Sequence, residues 1–490
     1  MKLLYIDLFC GAGGTSTGVE NARHDGRQCA KVIGCVNHDA NAIASHAANH
    51  PDALHFTEDI RTLELSPLTA HIAEMRRQYP DAFVVLWASL ECTNFSKAKG
   101  GQPRDADSRT LAEHLFRYIE AINPDYIQIE NVEEFMSWGD LDENGKPISK
   151  DAGRLYQQWV SNVCGYGYRF AHRILNSADY GAYTTRRRFF GIFAKESLPI
   201  VFPEPTHSKD GATGLFGRTQ RWKPVREVLD FSDEGESIFG RKKPLVDATL
   251  ERIKLVAGGK EAFLVKWNSM SQTGKYHAPS IDEPCPTVAT QNRLGIAQVN
   301  FLSKHYGGSP EGKCVSVEEP AGTITTWDHH SFITAYYGNG HNHSIDAPAP
   351  TLTTRDRLAF VDMQYGNGAP CDIESPAPTV TTNPKLQLVT CRMEQQESTT
   401  TITSDDSPAM AKIKRFMALY GIVDIKMRML RIPELKRIMG FPPDYVLVGT
   451  QADQKKFIGN AVEVNMARVL CEALCARLIE GDWRPIQIAA

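Results

Sequence analysis

The stretch 84–96 (VVLWASLECTNFS) constrains the fold more than any other part of the chain, because Val84, Val85, Leu86 and Trp87 run apolar with little alternation. Such a run reads as a strand buried on both faces, as in a parallel sheet covered by helices. It delivers Ser89 and Cys92 into a polar turn, and the carboxyl ends of strands are where open α/β sheets carry their sites. Residues 97–109, rich in Gly, Lys, Arg and Asp, follow as a surface connection. Two more segments share this plan. Residues 3–9 form a strand that runs into the glycine turn 10–14 (CGAGG), with Thr15 or Ser16 available to cap a helix. Residues 125–132 (DYIQIENV) alternate at Ile127 and Ile129 as a strand and end at Glu130 and Asn131.

Strand, glycine turn and helix in that order let backbone approach a nucleotide-like ligand closely, although such turns also occur without one. A second strand, 30–36, ends at Asn37, where a dinucleotide fold places an acid on the ribose; an amide there bonds more weakly. After a helix at 41–50 come Glu58, Asp59 and Ile60, where Asp59 either accepts from an adenine amino group or caps a helix. At the tip of a buried strand, Glu130 is placed to be desolvated and to hold a proton, or to enter a structural salt bridge. Helices are expected at 111–121 and 152–163. Residues 168–176 and 189–193 read as a β pair around 184–188 (TTRRR), whose arginines either face solvent or hold an anion or a base.

From about residue 199, Pro, Gly, Thr, His and Asn rise and helical periodicity fades, which marks a domain boundary. Four repeat units lie beyond it: SIDEPCPTVAT from Ser280, SVEEPAGTITT from Ser316, SIDAPAPTLTT from Ser344 and DIESPAPTVTT from Asp372. Each joins a proline turn to a Thr-rich strand and a later apolar run, so stacked β-hairpins are expected, with aromatic and amide loops at 336–339 and 365–367. Helical signals then return, giving a catalytic and cofactor domain at 1–198, an inserted domain at 199–410 and a return to the first domain at 411–490. Lys412, Lys414, Arg415, Lys426, Arg428, Arg431, Lys436 and Arg437, opposed locally by Asp424 and Glu434 alone, read as a phosphate-contacting face. A last helix, 465–479, carries Val469, Leu470, Ala473 and Leu474 at helical spacing for packing on the sheet.

At 490 residues the chain exceeds one ordinary core. Its eleven cysteines lack CxxC pairs, so neither a disulfide framework nor a structural zinc site is suggested; no metal is expected, and a reducing cytoplasm suits it. No apolar run approaches the length a bilayer needs, and residues 1–14 read as a first strand rather than a signal peptide. A net charge of −4 leaves nucleic-acid binding open, because phosphate affinity depends on local patches.

Taken in order, DLFCGAGG at 7–14, Cys92 with Asn94, Phe95 and Ser96 after it, ENV at 130–132, ADYG at 178–181 before the arginines, a long insertion, GFP at 440–442 and GNAV at 459–462 form a six-part pattern. It resembles the DNA cytosine-5 methyltransferase family over about 1–200 and 411–490. The resemblance implies an α/β fold: a Rossmann-like S-adenosylmethionine-dependent methyltransferase domain with a large, mostly β inserted target-recognition domain. It implies methyl transfer to C5 of a cytosine flipped from a specific double-stranded DNA sequence. Cys92 would attack C6, Glu130 would hold N3, and Arg188 and, more indirectly, Arg186 would contact the O2 side. Phe9, Gly11, Gly13, Gly14, Asn37, Asp59, Ile60, Asn460 and Val462 would hold S-adenosylmethionine, and 97–109 would close over the base. A cytoplasmic monomer is expected, with room for a cognate restriction endonuclease as in restriction-modification systems.

Departures from the family pattern cluster: Glu91 replaces a proline, Thr93 a glutamine, Tyr183 and Thr184 a Pro-Gln pair, and Asn37 the ribose acid. A carboxylate beside a thiol raises the thiol pKa unless it is neutralised, and a Glu91–Arg186 pair would couple two of these changes. The alternatives are an RNA cytosine-5 methyltransferase and a catalytically silent DNA-binding paralogue. The large insertion favours duplex DNA, and Cys92 with Glu130 at matching strand ends argues for catalysis.

Overall fold

Strands buried on both faces organise the first unit. Leu3–Leu8 (β1), Ala30–Val36 (β2), Leu54–Phe56 (β3), Phe83–Ser89 (β4) and Tyr126–Asn131 (β5) run parallel. Arg187–Lys195 (β7) lies antiparallel between β5 and Tyr168–Asn176 (β6), which gives the order β3-β2-β1-β4-β5-β7-β6. Every residue of β1 and β5 is buried, their polar members Asp7, Gln128, Glu130 and Asn131 included. The computed structural model describes residues 1–90, 112–140, 153–214, 217–230, 232–233, 236–245, 250, 402–420 and 422–481, and only strand segments between 251 and 401.

Helices cover both faces. Gly14–Asn21 (α1) and Ala40–Asn49 (α2) follow β1 and β2, while Ser66–Gln78 (α3), Leu115–Ile122 (α4) and Arg154–Cys164 (α5) bury Leu68, Ile72, Tyr118, Ile119 and Trp159 against Leu4, Leu86 and Ile127. After Gln451–Asn460 (α6), the helix Val464–Glu480 (α7) closes the α1 side. Glu463 starts α7 by accepting from the amides of Asn465 (3.1 Å) and Met466 (2.7 Å). Its buried stripe is Met466, Ala467, Leu470, Cys471, Leu474, Cys475 and Leu478, so Leu470 and Leu474 pack as expected and Val469 and Ala473 stand half-buried beside them. Close approach of α1 requires glycine: a Cβ at Gly18 would stand 2.4 Å from the Val464 carbonyl oxygen, and one at Gly14 2.5 Å from that of Val462.

Residues 1–222 with 436–490 form this first unit, and 223–435 form a second. The segment after the compositional shift at 199 still packs with the first, where Trp222 Nε1 donates to Asp179 Oδ1 (2.8 Å) and the Thr206 amide to the Asp179 carbonyl (2.9 Å). In the second unit the repeats set a phase. Strands begin at Leu294, His330, Leu358 and Leu386, each fourteen residues after the first residue of a repeat unit. Three of them share one sheet: Leu386–Met393 pairs in parallel with Leu294–Gln298 and antiparallel with Leu358–Met363 and Ile422–Met429. The Thr-rich runs, apart from isolated strand residues, and the loops at 336–339 and 365–367 lie outside the described residues.

The expected phosphate face is largely spent on internal partners. Arg428 is buried, with both terminal nitrogens 2.9 Å from the Glu434 carboxylate, and Arg431 meets Asp233 at 2.8 Å. Lys414 pairs with Asp406 at 2.8 Å, and in the first unit Lys436 donates to the carbonyls of Pro443 and Tyr445, both at 2.8 Å. Acids and carbonyls six to nine residues away, together with Asp233 distant in sequence, set these side chains. Among the described residues no helix is long and apolar enough to cross a membrane.

Candidate functional site

Parallel register sets Ser89 at the end of β4 beside Glu130 near the end of β5. Glu130 is 5% exposed, with Arg188 Nε 3.3 Å and Arg186 Nη2 4.0 Å from its Oε1. Neither approach has hydrogen-bond geometry, so among the described residues this buried oxygen has ion-pair neighbours but accepts no hydrogen bond. Burial raises the Glu130 pKa, and the two guanidinium groups oppose the rise without cancelling it. The result is a carboxyl group able to keep a proton and still aimed at an unmade bond.

Strand alternation explains how TTRRR serves this group. Arg186 and Arg188 turn toward Glu130, while Arg187 turns outward to Glu133, Nε to Oε1 2.9 Å. Arg186 is buried and also donates to the Gly459 carbonyl (3.2 Å), which ties the GNAV segment to the strand ends. Arg188 keeps more exposure and donates to the Arg187 carbonyl (2.7 Å). Asn131 Nδ2 donates to the Leu90 carbonyl (3.4 Å), linking the end of β5 to the chain leaving β4. Glu91, Cys92, Thr93 and 97–109 lie outside the described residues.

At the end of β1 the backbone takes three left-handed residues: Phe9 (φ 59°), Gly11 (φ 53°) and Gly13 (φ 99°). A left-handed phenylalanine is strained, and such strain gathers where a turn is shaped for a purpose. The glycines divide by role. A Cβ on Gly11 would meet nothing within 4 Å, whereas Gly14 serves the packing of α1. Carbonyls of the turn are tied back: Tyr445 Oη donates to Ala12 (2.5 Å) and Thr17 Oγ1 to Gly13 (2.7 Å). Behind them His50 meets Thr17 (3.1 Å), Tyr445 (3.3 Å) and Glu20 (2.7 Å).

Deeper still, Asp7 accepts from Ser16 Oγ (2.8 Å), Ser16 meets His46 Nε2 (2.9 Å), and burial pushes the Asp7 pKa up to about 7. Sequence reasoning missed this network. Its visible signals were an acid inside an apolar strand and two histidines, His46 and His50, one helical turn apart.

Register pairs Leu8 with Val36 and Val36 with Phe56, so Phe9, Asn37 and the residues after β3 leave the sheet along one edge. Phe9, Gly11, Asn37 and Asp59 are half-exposed and Asn460 is exposed; Gly13, Gly14, Ile60 and Val462 are buried. Asn37 spends its amide oxygen on the Asp39 amide (2.9 Å) and keeps its NH2 as a donor. Asp59 is gripped by Arg61 through 2.7 and 3.0 Å bonds, which lower its pKa to about 2; it stays an anion and also bonds the Arg61 amide. The edge therefore offers an open glycine, an amide donor and a fixed carboxylate, groups that could hold an aminoacyl nucleoside.

A profile described as C-5 cytosine-specific DNA methylase matches residues 3–476. The chain belongs to this family. The type II methyltransferase M.AgeI of Thalassovita gelatinovora is 28% identical over 211 residues, 43% of this chain and 44% of that protein. M1.HphI of Haemophilus parahaemolyticus is 27% identical over 216 residues, 44% of this chain and 52% of that one. The chain thus spans about half the length of these curated relatives. A solved structure of the Entamoeba histolytica methyltransferase EhMeth aligns over 98% of this chain and 99% of its own at 13% identity, with a TM-score of 0.47. C-5 cytosine-specific DNA methylases draw their methyl group from S-adenosylmethionine, and in this member of the family the fold is a mostly parallel sheet between helices.

Proposed function

We propose that this chain is a DNA cytosine-5 methyltransferase acting on a cytosine flipped from a specific duplex sequence. The observation that carries the reading is Glu130, a buried carboxyl group of raised pKa between two guanidinium groups, in register with the strand end that leads to Cys92. S-adenosylmethionine, when bound, supplies the methyl group as a sulfonium electrophile. Cys92, two residues past Leu90, attacks C6 as the thiolate and makes C5 nucleophilic. Protonated Glu130 donates to N3, so negative charge arriving in the ring is neutralised as the sulfur adds. Once C5 carries the methyl group, water takes its proton, the C6–S bond breaks to return the thiolate, and N3 gives its proton back to Glu130. Arg188, the more exposed guanidinium, meets the O2 side, and Arg186 positions Glu130.

Phe9, Gly11, Gly13, Asn37, Asp59 and Asn460 hold the cofactor, with Gly14, Ile60 and Val462 shaping that wall from within. The second unit, 223–435, reads the target sequence, and 97–109 closes over the base. Double-stranded DNA is the partner; a cytoplasmic monomer working beside a cognate endonuclease completes the reading.

The test is methyl transfer from labelled S-adenosylmethionine to duplex DNA, followed by digestion and detection of 5-methylcytosine. The expected product appears in one sequence context and vanishes with Cys92→Ala. Transfer to RNA alone would replace DNA by RNA as substrate, and cofactor binding without transfer to either would favour a silent DNA-binding paralogue.

A further inference from the structure

Three cysteines that the reaction does not use meet in the first unit. Cys29 stands between β2 and the exposed hairpin Arg23–His24 and Arg27–Gln28, and Cys471 and Cys475 lie one turn apart on α7. Spacing of i, i+4 puts the two helix sulfurs on one face. All three sulfurs lie within 4.8 Å of one another, and the residues are 4%, 0% and 0% exposed. We propose that Cys29, Cys471 and Cys475 bind one thiophilic divalent cation of the zinc class.

Three thiolates around one ion at a metal–sulfur distance of about 2.3 Å stand roughly 4 Å apart, so the set needs only small sulfur shifts to close on an ion. Disulfide chemistry suits it less. All three thiols are free, and joining any two would strand the third. Packing alone would accept any small apolar side chain here, whereas these thiols turn to each other and to backbone, Cys475 Sγ donating to the Cys29 carbonyl at 3.6 Å.

Charge selects the ion. Binding releases the thiol protons, after which a divalent cation on three thiolates leaves one net negative charge, and a monovalent cation leaves two. Burial disfavours the second arrangement. The bound ion would join positions 446 residues apart, clamping α7 to the start of β2. A second set, Cys35, His46 and His55, lies equally close, but His46 already meets His55 (2.9 Å), Ser16 (2.9 Å) and Cys35 (3.3 Å) with its two ring nitrogens.

The test uses the full chain, reduced, stripped with chelator and kept without oxygen, titrated with Cd2+ while thiolate-to-cadmium charge-transfer absorbance and the thermal midpoint are followed. One equivalent should saturate the absorbance and raise the midpoint by on the order of 5 °C. Cys29→Ala and Cys475→Ser should each weaken binding about tenfold or more and remove the thermal shift, and Cys164→Ser should leave both unchanged. Cadmium NMR on the wild type counts sulfur ligands without any variant, so a misfolding substitution does not blunt the test. A three-sulfur resonance supports the site. Absence of binding at one equivalent, a resonance without sulfur ligands, or undiminished binding by folded Cys29→Ala would overturn it.

Discussion

Two buried carboxyl groups flank β4, Asp7 on β1 and Glu130 on β5, and the sheet treats them in opposite ways. Register aligns Asp7 with Trp87 and Gln128, and Ser89 with Glu130, so Asp7 lies two residues deeper. Asp7 is matched by one serine hydroxyl and keeps its proton to about pH 7. Glu130 is matched by two guanidinium groups at 3.3 and 4.0 Å, and burial still raises it. Depth separates their uses: a carboxyl sealed behind the turn supports structure, and one near the strand tip between cations can exchange its proton with a ligand.

Removing the ionisable group at each place should break the pair apart. Glu130→Gln keeps the shape and should lower kcat by about 10²- to 10⁴-fold with little change in thermal midpoint, read by steady-state methyl transfer. Because the raised pKa favours the protonated form, wild-type kcat should lose activity on the alkaline side as Glu130 ionises, and the glutamine variant should lack that limb. Asp7→Asn should show the reverse. A raised carboxyl contributes stability that is fully present below its unfolded pKa of about 4 and is lost as pH rises through about 7. Wild type should therefore lose about 3 kcal/mol relative to Asp7→Asn between pH 5 and pH 7.5, measured by denaturant unfolding.

Smaller effects sharpen the contrast at the β1 turn. Gly14→Ala drives a methyl group against the Val462 carbonyl and should cost about 2 kcal/mol of stability. Gly11→Ala meets no neighbour, so its left-handed φ should cost only about 1 kcal/mol, and its main effect should fall on S-adenosylmethionine affinity measured by calorimetry.

Local pattern made the strands legible. Apolar runs that end in a glycine turn at 10–14 and in polar residues at Ser89 and Glu130 placed three strands of one parallel sheet, and the proline repeats announced strands that begin at a constant offset. Side-chain pairing was not legible. Arg428 and Lys414 read as phosphate contacts although Glu434 and Asp406 lie only six and eight residues away, because folding decides which cation each carboxylate takes. Cys29 and Cys475 share no motif, and a β-strand start and a C-terminal helix bring them together. At the site, alternation along β7 sorts Arg186 and Arg188 from Arg187, a distinction that three adjacent letters hide.

The most direct test of the central claim is trapping on duplex DNA that carries 5-fluorocytosine at the target position, whose C5 cannot release a proton after methylation. With S-adenosylmethionine present, the wild type should form a covalent adduct resistant to denaturation, Cys92→Ala should form none, and Glu130→Gln should form it far more slowly. An adduct of undiminished rate with Cys92→Ala, or no adduct at a sequence the protein binds with its cofactor, would contradict it.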